Sequence, residues 1–141
     1  MRLKAYSDGA SRGNPGISAI AFVIMTEDGR LLKKYSKHVG IRTNNQAEYE
    51  ALISALESAS ALTDQEVVCY LDSELVVKHL NGEYRVGSPK LKALWLKVQE
   101  LKKDFRRVTF KNVPRTDRHI EQVDRLANQA LDRAKHSLRR M

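Results

Sequence analysis

The sequence predicts an α/β fold built on a five-stranded mixed sheet, a three-stranded antiparallel meander plus parallel strands, with helices on both faces. Three observations predict it. Apolar runs of strand length, broken by turn residues, fill the first forty positions. From residue 44 the apolar spacing becomes helical, and valine-rich runs near 66–71 and 108–113 then alternate with helical stretches, the order expected of buried parallel strands. With 42% apolar residues in 141, the chain suits one compact domain.

Residues 3–7 read as a short strand ending at Asp8–Gly9, followed by a loop from Ala10 to Gly16. Two longer runs, 17–26 and 31–39, flank Glu27-Asp28-Gly29-Arg30, and an Asp-Gly pair between strand-like runs signals a hairpin. Ala47, Ala51, Leu52, Ala55, Leu56, Ala59 and Leu62 recur at helical intervals, which predicts a helix from Asn44 to Leu62 with Thr43 and Gln46 as its capping box. Residues 66–71 form the next strand and end at Asp72. A brief helix over 73–81 closes near Asn81–Gly82. Ser88–Pro89 is a cap followed by proline at the first helical position, and it leads into Leu91, Leu94, Trp95, Val98, Leu101 and Phe105. Val108 to Val113 alternates as a strand, 114–118 is a loop, and Ile120, Val123, Ala127, Ala130, Leu131 and Ala134 mark a last helix. Residues 1–135 are expected to form the domain, with 136–141 as a basic tail that frays.

Lys and Arg outnumber Asp and Glu by 25 to 17, giving a formal charge of +8, which favours a nucleic acid or another anionic surface as partner. Against that background four acids stand in distinctive local contexts: Asp8 in 6–9, Glu48 in 43–48, Asp72 in 70–73 and Asp124 in 123–128. If the strands ending at Asp8 and Asp72 are parallel neighbours, their carboxylates emerge about 4.8 Å apart at one edge of the sheet. Glu48 and Asp124 lie in early turns of their helices and can lean over that edge. Converging carboxylates repel one another unless cations hold them, and oxygen-only ligands select Mg²⁺, with Mn²⁺ as a substitute, over zinc. Two such ions roughly 3.5 to 4 Å apart can activate water and stabilise a leaving 3′ oxygen without a covalent intermediate. Taken singly, Asp8 and Asp72 could be turn formers, Glu48 a solvated helix residue and Asp124 the partner of an arginine.

Four motifs, 8–16, 43–49, 72–76 and 123–128, occur in an order and at spacings that closely resemble the type 1 ribonucleases H, over residues 3 to about 134. The resemblance implies a ribonuclease H-like fold and an endoribonuclease that hydrolyses the RNA strand of RNA·DNA hybrids, leaving 5′-phosphate and 3′-hydroxyl ends. It implies catalytic and metal-holding roles for Asp8, Glu48, Asp72 and Asp124. It also implies minor-groove contacts from Asn14, Asn44 and Asn45, whose amides can bond the 2′-hydroxyl that separates RNA from DNA. Thr43 and Ser88 match positions that hold a DNA-strand phosphate, and Arg42 stands beside them. Lys90, Lys92 and Lys97 can add salt-dependent affinity.

Two departures from better-known family members stand out. Only residues 82–87 separate the helix after Asp72 from the Ser88 helix, where some members insert a basic helix and loop. Near the last acid, members often carry a mobile His or Arg, and an Asn four residues before the final Asp; here position 120 is Ile, and the candidates for the mobile group are His119, Arg115 and Arg118, of which His119 titrates usefully near neutrality. The alternatives are a same-fold nuclease acting on double-stranded RNA and a catalytically silent nucleic-acid-binding module. A monomer is expected. One cysteine, Cys69 in an apolar run, excludes an internal disulfide and reads as inert core. No signal-peptide or membrane-length apolar stretch is evident, so a cytoplasmic location with no membrane partner is the expectation.

Overall fold

The computed structural model describes residues 1–140. Five strands, β1 (Arg2–Gly13), β2 (Gly16–Thr26), β3 (Leu31–Arg42), β4 (Glu66–Leu71) and β5 (Arg107–Asn112), form one sheet in the order β3-β2-β1-β4-β5. The β1–β2 and β2–β3 pairs are antiparallel, whereas β1–β4 and β4–β5 are parallel. Four helices join them: α1 (Asn44–Ser60), α2 (Glu74–Leu80), α3 (Pro89–Lys102) and α4 (Arg118–Arg140).

Side-chain alternation along the strands divides the interior into two cores. Leu3, Ala5, Phe22, Ile24, Val67, Cys69 and Leu71 face one way and are covered by α1, α2 and α3. Tyr6, Ala19, Ala21, Val23 and Met25 face the other way and meet Ile120, Val123, Ala127, Ala130 and Leu131 of α4. Each large aliphatic buried in this way contributes about 1.5 to 3 kcal/mol. Cys69 is completely buried, and burial pushes its thiol up to about 12, in keeping with an inert core residue. Outermost β3 carries Lys33, Lys34 and Lys37 in exposed positions, which discourages pairing with a second sheet.

The helix starts follow the sequence closely. Thr43 Oγ1 accepts the amide of Gln46, while the Gln46 side chain accepts the amide of Thr43, completing the capping box at 3.2 and 2.9 Å. Ser73 and Ser88 cap α2 and α3. Asp117 Oδ1 accepts the amides of His119 and Ile120 at the start of α4, a cap hidden in what reads as a polar loop.

Two boundaries differ most from expectation, while β3 runs three residues further, to Arg42, and α1 ends two residues earlier, at Ser60. β1 does not stop at Asp8 but runs to Gly13, so the loop expected over 10–16 shrinks to a turn at Asn14–Pro15. Cross-strand pairing supplies the reason: Ala10, Ser11, Arg12 and Gly13 oppose Ala19, Ser18, Ile17 and Gly16, the hydroxyls of Ser11 and Ser18 bond at 2.6 Å, and Gly13 turns the chain with φ +111°. Polar residues that look like loop are therefore satisfied across a ladder. At the other end, α4 continues to Arg140, through most of the expected tail, because no Gly or Pro interrupts the helix-forming run after Ala130. Met141 of that tail lies outside the described residues.

Candidate active site

The site begins where β1 and β4 part. Their parallel register ends with Tyr6 opposite Tyr70, so Asp8, within β1, and Asp72, just past the end of β4, each two residues further on, emerge side by side on the same face where the two strands part. Glu48, in the second turn of α1, joins them, and the three carboxylates offer oxygens within 4.8 Å of one another. Gly9 permits the approach. A Cβ there would lie 2.5 Å from the carbonyl oxygen and 2.6 Å from the Cβ of Ala47, so any larger residue forces α1 away from the strand. The Gly9 amide also donates to Glu48 Oε1 at 2.7 Å.

Asp8 and Glu48 are almost fully buried, at 5% and 6% exposure. Burial is the main reason both hold their protons more tightly than ordinary carboxylates. Sharing of a proton with Glu48 and the charges of Glu48, Asp72 and Asp124 push Asp8 further up, and the charge of Asp72 adds to the rise at Glu48. The second Glu48 oxygen, Oε2, is buried and has no hydrogen-bond partner. A buried carboxylate oxygen without a partner among crowded acids is a poor arrangement for protein alone. The cluster's donor set of hard oxygens suits a divalent cation, which would satisfy that oxygen and remove the repulsion.

The acids line a cavity of about 540 Å³ whose wall also includes Asn44, Asn45, Ser73, Arg115, Asp124 and Asn128. Asp124 belongs to the rim: it lies on the exposed flank of α4 and is not among the three carboxylates that converge. Arg115, 91% exposed, approaches Asp72 at 3.7 Å from the loop before α4.

Comparison with known proteins agrees with this geometry. Residues 6–130 match the family model described as Reverse transcriptase-like. The crystal structure of RNase H1 from Halobacterium salinarum is 41% identical, superposes with a TM-score of 0.89 and is covered over 98% of its length by 94% of this chain. The chain belongs to the type 1 ribonuclease H family. LC11-RNase H1, solved in complex with an RNA/DNA hybrid, is 39% identical at a TM-score of 0.89, with 94% of this chain and 98% of that one aligned. The N-terminal RNase H domain of rv2228c from Mycobacterium tuberculosis is 38% identical at a TM-score of 0.90, over 97% and 98% of the two chains. Against curated relatives the chain spans 66% of Halobacterium salinarum ribonuclease HI and 37% of the Mycobacterium tuberculosis bifunctional protein.

A second cavity, about 580 Å³, opens beside the acids and is lined by Asn14, Arg42, Thr43, Asn45, Ser88 and Lys90 among others. Asn45 borders both cavities. The Asn14 side chain accepts the Asn44 amide at 3.1 Å, tying the β1–β2 turn to the first turn of α1. Thr43 and Ser88 spend a lone pair each on their caps, which leaves both hydroxyl hydrogens free to donate to an anion. Arg42 is held by Glu50 at 2.8 Å and by the Ile41 carbonyl. All six substrate-contact candidates thus border one of the two cavities. His119 is placed differently: its ring lies 4.7 Å from that of Tyr6, which stacks on Tyr70, and it does not line the acidic cavity. Arg115 takes the position beside the acids. Sequence reasoning passed over Asn128, whose spacing of four from Asp124 was the available signal.

Proposed function

We propose that the chain hydrolyses the RNA strand of RNA·DNA hybrids endonucleolytically, giving 5′-phosphate and 3′-hydroxyl ends, with residues 1–135 as its catalytic domain. The observation that carries the reading is the trio Asp8, Glu48 and Asp72 within 4.8 Å at the sheet edge, with a buried unpartnered oxygen on Glu48. A relative solved with an RNA/DNA hybrid supports the choice of substrate.

Asp8, Glu48 and Asp72, with Asp124 from the rim, would hold the cations. When bound, a pair of Mg²⁺ ions, or Mn²⁺ in their place, supplies an activated water and stabilisation of the departing 3′ oxygen. The chain's own residues do the rest. Amides of Asn14, Asn44 and Asn45 bond ribose 2′-hydroxyls and seat only a strand that carries them. Thr43 and Ser88 donate to a phosphate of the DNA strand while Arg42 and Lys90 supply positive charge, fixing the duplex at a second point. Arg115 sits where a guanidinium can offset charge on the cleaved phosphate. His119 can reach the departing product only by swinging off Tyr6. Every group is contributed by one chain, which supports action as a monomer. Among the described residues no helix is long and apolar enough to cross a membrane.

The decisive experiment measures cleavage of four matched duplexes, hybrid, double-stranded RNA, DNA and a duplex with one ribonucleotide, in Mg²⁺ and in Mn²⁺. Cleavage of the hybrid above all others is expected. Preference for double-stranded RNA would replace the substrate, and binding without cleavage in either metal would make the chain a silent nucleic-acid-binding module.

A further inference from the structure

We infer that Asn128 is a positioning residue for Asp124, itself anchored by Arg12, and that this linkage sets how tightly the site takes its cations; the inference rests on the functional reading above. Three of the four acids are fixed by their surroundings. Asp8 and Asp72 issue from paired strands, and Glu48 is buried and receives the Gly9 amide. Asp124 has no such enclosure. It stands on an exposed helix flank facing three acids of its own sign, and repulsion together with side-chain entropy favours rotamers that turn it out into water.

Asn128, one turn further along α4 and on the same cavity wall, opposes that tendency. Its Nδ2 donates to Asp124 Oδ1 at 3.3 Å and to the Asp124 carbonyl at 3.0 Å. The reverse amide orientation would set oxygen against two oxygens, so the network fixes which way the amide points. A neutral donor has a further advantage over lysine or arginine: it orients the carboxylate without offsetting its charge, leaving Oδ2 and the full negative charge for a cation. The turn of α4 that carries Asn128 is tied to the sheet in its turn. Arg12 Nη2 donates to Asp132 Oδ1 at 2.6 Å and to the Asn128 carbonyl at 3.4 Å. Arg12 lies four residues beyond Asp8 on the same strand, so the extension of β1 past its catalytic acid gauges the distance from Asp8 to Asp124.

The test measures Mn²⁺ binding to the free, full-length protein by the electron paramagnetic resonance signal of unbound Mn²⁺, alongside kcat and KM on an RNA·DNA hybrid as Mn²⁺ is varied. Variants are Asn128→Leu, which keeps size but not the donor, Asn128→Gln, which keeps an amide able to bond a carboxylate at this helical spacing, Arg12→Ala and Asp124→Asn. Loss of a group that orients a ligand costs roughly 10- to 100-fold in metal affinity, so Asn128→Leu should raise half-saturation about tenfold, with Asn128→Gln within about threefold of wild type. At saturating Mn²⁺ the KM for hybrid should stay within about twofold. Arg12→Ala should give a smaller shift that does not add to that of Asn128→Leu, as expected for residues acting in one linkage. If Asn128→Leu binds Mn²⁺ as wild type does while Asp124→Asn binds weakly, the inference fails and the functional reading stands. Equal weakening by the Leu and Gln variants, or full additivity with Arg12→Ala, also overturns it. Unchanged binding in Asp124→Asn would instead remove Asp124 from the cation site.

Discussion

Replacing Gly9 by Ala tests how closely the strand and helix must approach for the acids to converge. The added Cβ falls 2.5 Å from the Ala47 carbonyl oxygen and 2.6 Å from its Cβ, nearly 1 Å inside ordinary contact, which begins near 3.4 Å. The obstacles are backbone and a methyl on a buried helix, and neither can rotate away. Either α1 retreats or β1 buckles, at a cost of about 1 to 3 kcal/mol for overpacking of this kind. For a domain of this size that corresponds to a fall of roughly 3 to 12 °C in Tm. The chemical consequence should be larger, since Glu48 follows Ala47 and bonds the Gly9 amide: displacement of the helix by about 1 Å separates Glu48 from Asp8, and misplacement on that scale can cost about 100-fold in rate. Thermal melting and single-turnover hybrid cleavage at saturating Mg²⁺ provide the two readings. Gly87→Ala is the control, because a Cβ there meets nothing within 4 Å. A Gly9→Ala variant that melts and cleaves like wild type would refute the idea that this contact sets the spacing of the acids.

Asp8→Asn should lower kcat at least about 100-fold with hybrid affinity nearly kept. In metal-free protein it should also stabilise the fold: the folded pKa values of Asp8 and Glu48 are raised, so folded protein binds the extra proton and stability falls as pH rises from about 4 upward. The gain in Tm should therefore grow between pH 4 and 7, and a gain independent of pH would contradict this. Asn45→Ala, which removes an amide from the wall of both cavities, should reduce hybrid cleavage roughly 10- to 100-fold, measured beside a single-ribonucleotide duplex that wild type already cuts poorly. Neutralising Lys90, Lys92 and Lys97 to Gln should flatten the dependence of hybrid affinity on salt by roughly one to two in log–log slope, read by fluorescence anisotropy. An unchanged slope would move the electrostatic footprint elsewhere.

Much of this architecture was legible because strong local signals agreed with tertiary demand. The capping box at Thr43 and Gln46, the Ser88–Pro89 start and the valine-rich run before Asp72 each left one reading open, and the structure follows them. What was not legible depends on partners distant in sequence. Ser11 and Arg12 carry loop-like composition, yet a ladder partner in β2 satisfies them, and no single segment reveals its partner. The ring of His119 lies tilted against that of Tyr6, more than a hundred residues away in sequence, a neighbour that no local signal in the chain reveals. The motif at 123–128 points to Asp124, while its place at the rim and its hydrogen bond from Asn128 are visible only with α4 docked.

That docking separates the site into two mechanical parts. Asp8, Glu48 and Asp72 rise from elements packed into the larger core, whereas Asp124 travels on α4, which by itself covers the opposite face of the sheet. A helix held by one face can open as a cooperative unit while the sheet stays closed. Amide hydrogen exchange would then show α4 exchanging through a cheaper opening than β1 or α1. Warming the protein would dismantle the site before unfolding the sheet, since the fourth carboxylate detaches with its helix while the other three keep their places.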